Sequence, residues 1–171
     1  DNCSLTVWKD IVTGVIFIDD FYTGDETYEQ GSYRNEKKLI SVTGERDLEE
    51  FDDCQRRFKS NLKYVAGKKL LDFGCGAGDF LKLVKPFCKE ALGIELQKNY
   101  ATALNDQGIT CFRELSAVSD NDYDVVVLFH VLEHLPNPLG TLKQLKNNIR
   151  SGGNIVIEVP HANDFLLSVL G

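Results

Sequence analysis

Leu70-Leu71-Asp72-Phe73-Gly74-Cys75-Gly76-Ala77-Gly78-Asp79 decides how this chain is read. A short apolar run ends in an acid, glycines then alternate through a tight turn, and Phe80, Leu81, Leu83 and Val84 follow at helical spacing. The pattern is a strand, a glycine-rich loop and the first turn of a helix. Glycine has no Cβ and tolerates positive φ, so such a loop brings backbone close to a ligand. The helix behind it presents N–H groups that have no intrahelical partner. The spacing is G-x-G-x-G, not the G-x-G-x-x-G of the dinucleotide fingerprint. The next apolar run, Ala91-Leu92-Gly93-Ile94, ends in Glu95. An acid at the tip of a second strand, roughly 20 residues past the loop, is placed to accept hydrogen bonds from ribose hydroxyls.

Outward from this unit the alternation is regular. Strand 1 is expected over Lys69 to Phe73, a helix from Asp79 to about Lys85 stopped by Pro86, and strand 2 over Ala91 to Glu95. A helix from Gln97 to Asp106 stops near Gly108, and strand 3 covers Ile109 to Phe112. Strand 4 covers Asp124 to Phe129, where Val125-Val126-Val127-Leu128 is apolar throughout, as a strand buried on both faces requires. A helix from Pro138 to Ile149, a turn at Ser151-Gly152-Gly153 and strand 5 over Asn154 to Val159 complete the series. Before it, Leu48, Phe51, Phe58, Leu62 and Val65 mark one face of a helix between Glu45 and Val65. Alternating strands and helices give an α/β fold: a doubly wound, Rossmann-like, mostly parallel sheet with helices on both faces. Residues 1–35 depart from this pattern. Val12 to Ile18 reads as a strand or one arm of a hairpin, and Phe21, Tyr22, Tyr28 and Tyr33 follow among acids and glycines, as a lid or a plain N-terminal arm. The division is therefore an arm over 1–35 and a core over 36–171.

Composition bounds the partners. With 171 residues, 43% hydrophobic and 26% charged, the chain is long enough for one domain with its own core. A net charge of −7 without a basic stripe argues against nucleic acid. Arg56-Arg57 are expected on a solvated helix face. No apolar run reaches the length of a membrane span, and no leader is visible. The five cysteines show no C-x-x-C spacing, which suits free thiols and a cytoplasmic setting. Cys75 is expected as a small residue filling the glycine turn, not as a nucleophile.

The segment from Leu70 to Val159 resembles the nucleotide-binding core of the class I S-adenosylmethionine-dependent methyltransferases. Asp72 to Gly78 match that family's first motif and Glu95 its ribose-binding acid. The resemblance implies S-adenosylmethionine as cofactor, S-adenosylhomocysteine as product, and a small-molecule methyl acceptor. It implies cofactor contacts at Asp72, Gly74, Cys75, Gly76 and Gly78 in the loop, and at Glu95 and Leu96 after strand 2. It adds Glu114 and Leu115 at the adenine, and Phe129 and His130 after strand 4. The family fold continues with a further helix and two strands that this sequence lacks, its own end falling in a helix expected over Asp164 to Leu170. The N-terminal stretch resembles that of sugar-type members, where a cysteine-rich zinc module precedes a segment like Gly31-Ser32-Tyr33-Arg34. Cys3 is the one remnant of such cysteines.

All three histidines fall at the ends of strands 4 and 5, which points to a shared cleft. His130 and His161 are the candidate bases, since imidazole exchanges protons near neutral pH. His130-Val131-Leu132-Glu133-His134 also matches H-x-x-E-H, but that zinc-peptidase motif needs a helix, and here it follows a buried strand. Ubiquinone-pathway and small-RNA 2′-O-methyltransferases carry E-x-x-E-H at this place, and His130 stands here at the first acid. No metal is assigned, and whether His130, Glu133, His134 and His161 bind one stays open. Two other readings stay open: a non-catalytic cofactor-binding module of the same fold, and an NAD(P)-binding oxidoreductase, against which the glycine spacing and the Leu132-Glu133-His134 segment weigh. Oligomeric state is not legible.

Overall fold

The computed structural model describes residues 6–18, 48–119 and 121–161. Cys3, the Gly31 to Arg34 segment, the tyrosines near it and the helix expected over Asp164 to Leu170 lie outside the described residues. A two-stranded antiparallel hairpin comes first, β1 (Val7–Lys9) against β2 (Ile16–Ile18). Its turn is built on Asp10, whose carboxylate accepts from the N–H groups of Val12 and Thr13.

The main body opens with α1 (Leu48–Val65), then β3 (Lys69–Phe73), α2 (Asp79–Val84), β4 (Glu90–Ile94), α3 (Lys98–Asp106) and β5 (Cys111–Phe112). It continues with β6 (Tyr123–Phe129), α4 (Pro138–Leu145) and β7 (Ile149–Glu158). The five strands pair in the order β5-β4-β3-β6-β7, and every pair is parallel. Sequence order runs outward from β3 in one direction and then, from β6, in the other. The carboxyl ends of β3 and β6 therefore flank a topological switch point, the place where open α/β sheets take ligands.

Period-two alternation sorts the strand residues onto two faces. On one face Leu70, Val125, Val127, Ala91 and Cys111 meet Cys54 and Val65 of α1, Phe80, Leu81 and Val84 of α2, and Ala101 and Leu104 of α3. On the other, Leu71, Leu92, Ile94, Val126 and Leu128 meet Leu145 of α4, with Leu115 of a 3₁₀ turn packed beside them. This double cover is why Val125 to Leu128 carries no polar residue: each of the four is buried. Burying a side chain of this size stabilises the fold by roughly 1.5–3 kcal/mol.

Strand 3 is shorter than the sequence expectation, Cys111–Phe112 in place of Ile109 to Phe112, and two boundaries around the last strand differ as well. Strand 5 begins at Ile149, not Asn154, because the glycine pair does not end the strand. The register jumps there from Tyr123↔Ile149 to Val125↔Asn154, and Gly152 takes φ +76°, so the expected turn is an irregularity inside β7. The helix expected to reach Ile149 ends at Leu145 and tightens into a 3₁₀ turn over Lys146–Asn148.

Gly93 sits in the middle of β4 because two neighbours occupy the space of its absent side chain. A Cβ there would lie 2.6 Å from Cys75 Sγ and 2.8 Å from Leu81 Cδ1. Gly93→Ala is expected to destabilise the fold by ~1–3 kcal/mol. Urea unfolding reads this directly, and adding Cys75→Ala should recover part of the loss.

Candidate cofactor site

A cavity of about 360 Å³ opens at the carboxyl ends of β3, β4, β5 and β6. Phe73 and Gly74 contribute from β3, Glu95 and Leu96 from the end of β4, and Glu114 and Leu115 from beyond β5. His130 and Val131 line it from beyond β6, and Thr141 and Gln144 of α4 close one side. Its volume falls within the usual range for small-molecule and cofactor pockets.

The glycine loop is shaped from two directions. Gly74 has φ +79°, and a Cβ on it would run into Val131 Cγ2; Gly78 has φ +75°, and a Cβ on it would run into Leu104 Cδ2. The N–H groups of Gly74 and Cys75 both donate to the Ile94 carbonyl, at 2.8 and 3.0 Å, which ties the loop to the end of β4. Glu95 completes the tie. One carboxylate oxygen accepts from the Gly76 N–H at 2.8 Å and the other from the Gln97 N–H at 2.8 Å, and the residue is only 6% exposed. Each oxygen keeps a further lone pair for an incoming donor.

Asp72 lies beneath the loop, 3% exposed, and does not line the cavity. Burial pushes its carboxyl up to about 7; Arg57 opposes the rise and Glu95 adds to it. Cys75 points away from the cavity, toward Cys111, with the sulfurs 3.8 Å apart. The contact with Cys111, burial and the nearby carboxylates all push the Cys75 thiol up. Phe129 stands behind His130, edge-on to Phe80 with ring centroids 4.9 Å apart, with the Arg57 guanidinium 5.4 Å from its own centroid. His161 follows β7, is exposed and does not line the cavity. Of the residues assigned to the cofactor from sequence, Gly74, Glu95, Leu96, Glu114, Leu115 and His130 share the cavity, and Asp72, Cys75, Gly76, Gly78 and Phe129 support it from behind.

His130 is the one non-glycine residue with positive φ among the described residues, at +54°. Its N–H donates to the Glu158 carbonyl at 2.9 Å, continuing the β6–β7 ladder as the chain turns away. Its ring lies between two carboxylates: Nδ1 is 3.2 Å from Glu133 Oε1 and Nε2 is 3.3 Å from Glu158 Oε1. Glu158 is gripped by Arg56 and Arg57 of α1, with N–O distances from 2.8 to 3.1 Å. Burial opposes ionisation of Glu158, but the hydrogen bonds from Arg56 and Arg57 outweigh it and hold the carboxyl at about 2. Arg56 and Arg57 are therefore not a merely solvated face. Sequence reading passed over Glu158, although an acid between Ile157 and Val159 is the same signal that picked out Asp72 and Glu95. Among the described residues no group of three or more His, Cys, Asp or Glu is arranged to hold a metal ion.

Two predictions follow from the electrostatics and the backbone. Asp72 has its folded pKa above its unfolded one, so its contribution is full below about 3.8 and is lost as pH rises through about 7. Urea midpoints of the wild type should carry this fall between those limits, and Asp72→Asn should remove it. His130→Gly should be more stable than His130→Ala by ~1 kcal/mol, since only alanine keeps the left-handed penalty; equal stabilities would mean the backbone relaxes.

The donor set fits S-adenosylmethionine: a fixed acid for a ribose diol, a glycine loop that admits close approach, apolar walls for a purine, and carboxylates near a cationic group. Comparison with known proteins agrees. A ubiquinone biosynthesis O-methyltransferase of Burkholderia vietnamiensis is 30% identical over 121 residues, which are 63% of this chain and 52% of that protein. A SAM-dependent methyltransferase from Archaeoglobus fulgidus superposes with a TM-score of 0.56 at 26% identity, over 64% of this chain and 53% of that one. Coclaurine N-methyltransferase, solved with N-methylheliamine and SAH, shares the fold at 15% identity and a TM-score of 0.56, over 68% of this chain and 38% of its own. The chain spans about half the length of the curated relatives it matches. The model of the methyltransferase domain matches residues 34–170, and the chain belongs to that family.

Proposed function

We propose that this chain binds S-adenosylmethionine and takes part in methyl transfer to a small-molecule acceptor, with S-adenosylhomocysteine as the second product. The observation that carries the reading is the Glu95 carboxylate, buried, fixed by two backbone N–H groups, and set on the wall of a cavity beside a glycine loop. Glu95 accepts from the ribose hydroxyls. Gly74 lets the loop backbone approach, Leu96 and Leu115 face the adenine, and Glu114 stands at its rim. When bound, the cofactor supplies an electrophilic methyl group on a sulfonium.

The residues of this chain then have three tasks. They orient the acceptor, which supplies much of the rate in a displacement of this kind. They exclude water, through the apolar wall of Ile94, Leu96, Leu115 and Val131. They take a proton, and His130, which lines the cavity together with His134, is the group assigned to it. His161, outside the cavity lining, has no such support. The name of the Burkholderia relative makes a hydroxyl the first acceptor group to test. The net charge of −7 favours a small molecule over a phosphate backbone. No helix among the described residues is long and apolar enough to cross a membrane, and a cytoplasmic location is part of the proposal.

Isothermal titration of S-adenosylhomocysteine, with NADH in parallel, tests the reading. Binding of the former and not the latter is expected. Glu95→Ala should weaken it by roughly tenfold or more, since charge-assisted hydrogen bonds are lost and the loop loses its tie. Binding of NADH alone would favour an oxidoreductase, and tight binding that Glu95→Ala leaves untouched would remove the ribose role.

A further inference from the structure

We infer that Cys75 and Cys111 form a reversible modification site, a thiol pair that a small hydroperoxide converts to a disulfide, drawing the cofactor loop toward β5. Cys75 lies in the glycine loop after β3, and Cys111 opens the edge strand β5. Both pack on the face of the sheet covered by α1, α2 and α3. Their sulfurs are 3.8 Å apart, and both side chains are free thiols. Gly93 of β4, the strand between β3 and β5, is what lets them meet. A Cβ at Gly93 would lie 2.6 Å from Cys75 Sγ and 3.4 Å from Cys111 Sγ. The contact raises the Cys75 thiol and lowers the Cys111 thiol, so Cys75 keeps the shared hydrogen and Cys111 is the sulfur closer to a thiolate. The thiolate is the form that reacts.

The step balances with hydrogen peroxide as the oxidant. One sulfur takes an oxygen as the O–O bond breaks, giving a sulfenic acid and one water. The other sulfur displaces the hydroxyl, which leaves with the second thiol's proton as a second water, and the S–S bond forms. The sulfurs lose two electrons and the peroxide gains them. Closure brings the sulfurs from 3.8 Å to about 2 Å, and the loop is the part that yields. The main chain of Cys111 is held on both sides by Asn105, whose side-chain amide accepts its N–H at 3.1 Å and donates to its carbonyl at 2.8 Å. Cys75 has Gly74 and Gly76 on either side, both at positive φ, where the backbone turns most freely. Moving Cys75 toward β5 draws the Gly76 N–H away from the Glu95 carboxylate, which it meets at 2.8 Å. The effect on the cofactor rests on the methyltransferase reading of the cavity; the disulfide itself does not. In a reducing compartment such bonds are transient or redox-sensing.

The test is peptide mapping of the wild type, reduced and after hydrogen peroxide. Trypsin cuts after Lys69, Lys82, Lys98 and Arg113, so each sulfur falls in its own peptide. The treated protein should give the two peptides joined, less two hydrogens, and dithiothreitol should part them. Both cysteines left as thiols, either one carried to an unlinked sulfinic acid, or either one joined to another cysteine would overturn the inference. By isothermal titration the disulfide form should bind S-adenosylhomocysteine about tenfold more weakly than the reduced form, the worth of one hydrogen bond to a charged group. Dithiothreitol should restore the affinity, and Cys111→Ser should bind alike before and after peroxide. Equal affinity of the two wild-type forms would overturn the coupling to the loop. Failure of the reduced wild type to bind that probe would sink the methyltransferase reading, and the peptide map would still decide the thiol pair.

Discussion

The Glu95 carboxylate is the contact on which the site depends. It is buried, yet it has no cation beside it among the described hydrogen bonds; what holds it is a pair of backbone N–H groups, one from the glycine loop and one from the residue that precedes α3. Burying a carboxylate is costly unless donors meet it, and here the donors are the backbone of the ligand-binding loop itself. The charge and the loop conformation are therefore one device. The loop cannot move away without stranding the charge. The acid cannot turn away without leaving the Gly76 N–H unmatched. A ligand that donates to Glu95 meets an acceptor already desolvated and aimed, so little is lost in ordering it.

Electrostatic tension at the strand ends follows from the same arrangement. Asp72 and Glu95 stand at the ends of adjacent strands, and burial, with the Glu95 charge adding to it, disfavours ionisation of Asp72. Arg57 relieves this from α1, and the same guanidinium also grips Glu158 and lies over Phe129. One side chain thus ties the helix to the ends of β6 and β7. A protein that clusters acids at one edge of its sheet gives up stability there and recovers it in the apolar layers on either face.

How much of this was legible in the sequence depended on distance along the chain. The strands β3, β4 and β6 were legible because burial on both faces demands unbroken apolar runs, and those runs are local. The loop and Glu95 were legible because 19 residues of separation still fall within one repeating unit. The start of β7 was not, since Ser151-Gly152-Gly153 carries every local mark of a turn, and only pairing with β6 carries the strand through it. The Arg56–Glu158 contact was not, because it joins residues 102 apart across the edge of the sheet. Two arginines on an amphipathic helix look solvated until the strand that supplies their partner is placed.

His130 shows why chemistry collects at this junction. β6 is buried until Phe129, whose ring is fixed by Phe80 and Arg57, so the chain has no freedom to leave the sheet gradually. It turns at the next residue. The Glu158 carbonyl still takes the His130 N–H, and a left-handed φ is what satisfies that bond while sending the chain outward. For a residue with a Cβ this conformation costs roughly 1–2 kcal/mol. A glycine would take the same turn without that cost but would place nothing at the cavity. The imidazole is thus held where a strained backbone, two carboxylates and a cofactor pocket meet, and the buried strand behind it supplies the rigidity that keeps the strain in place.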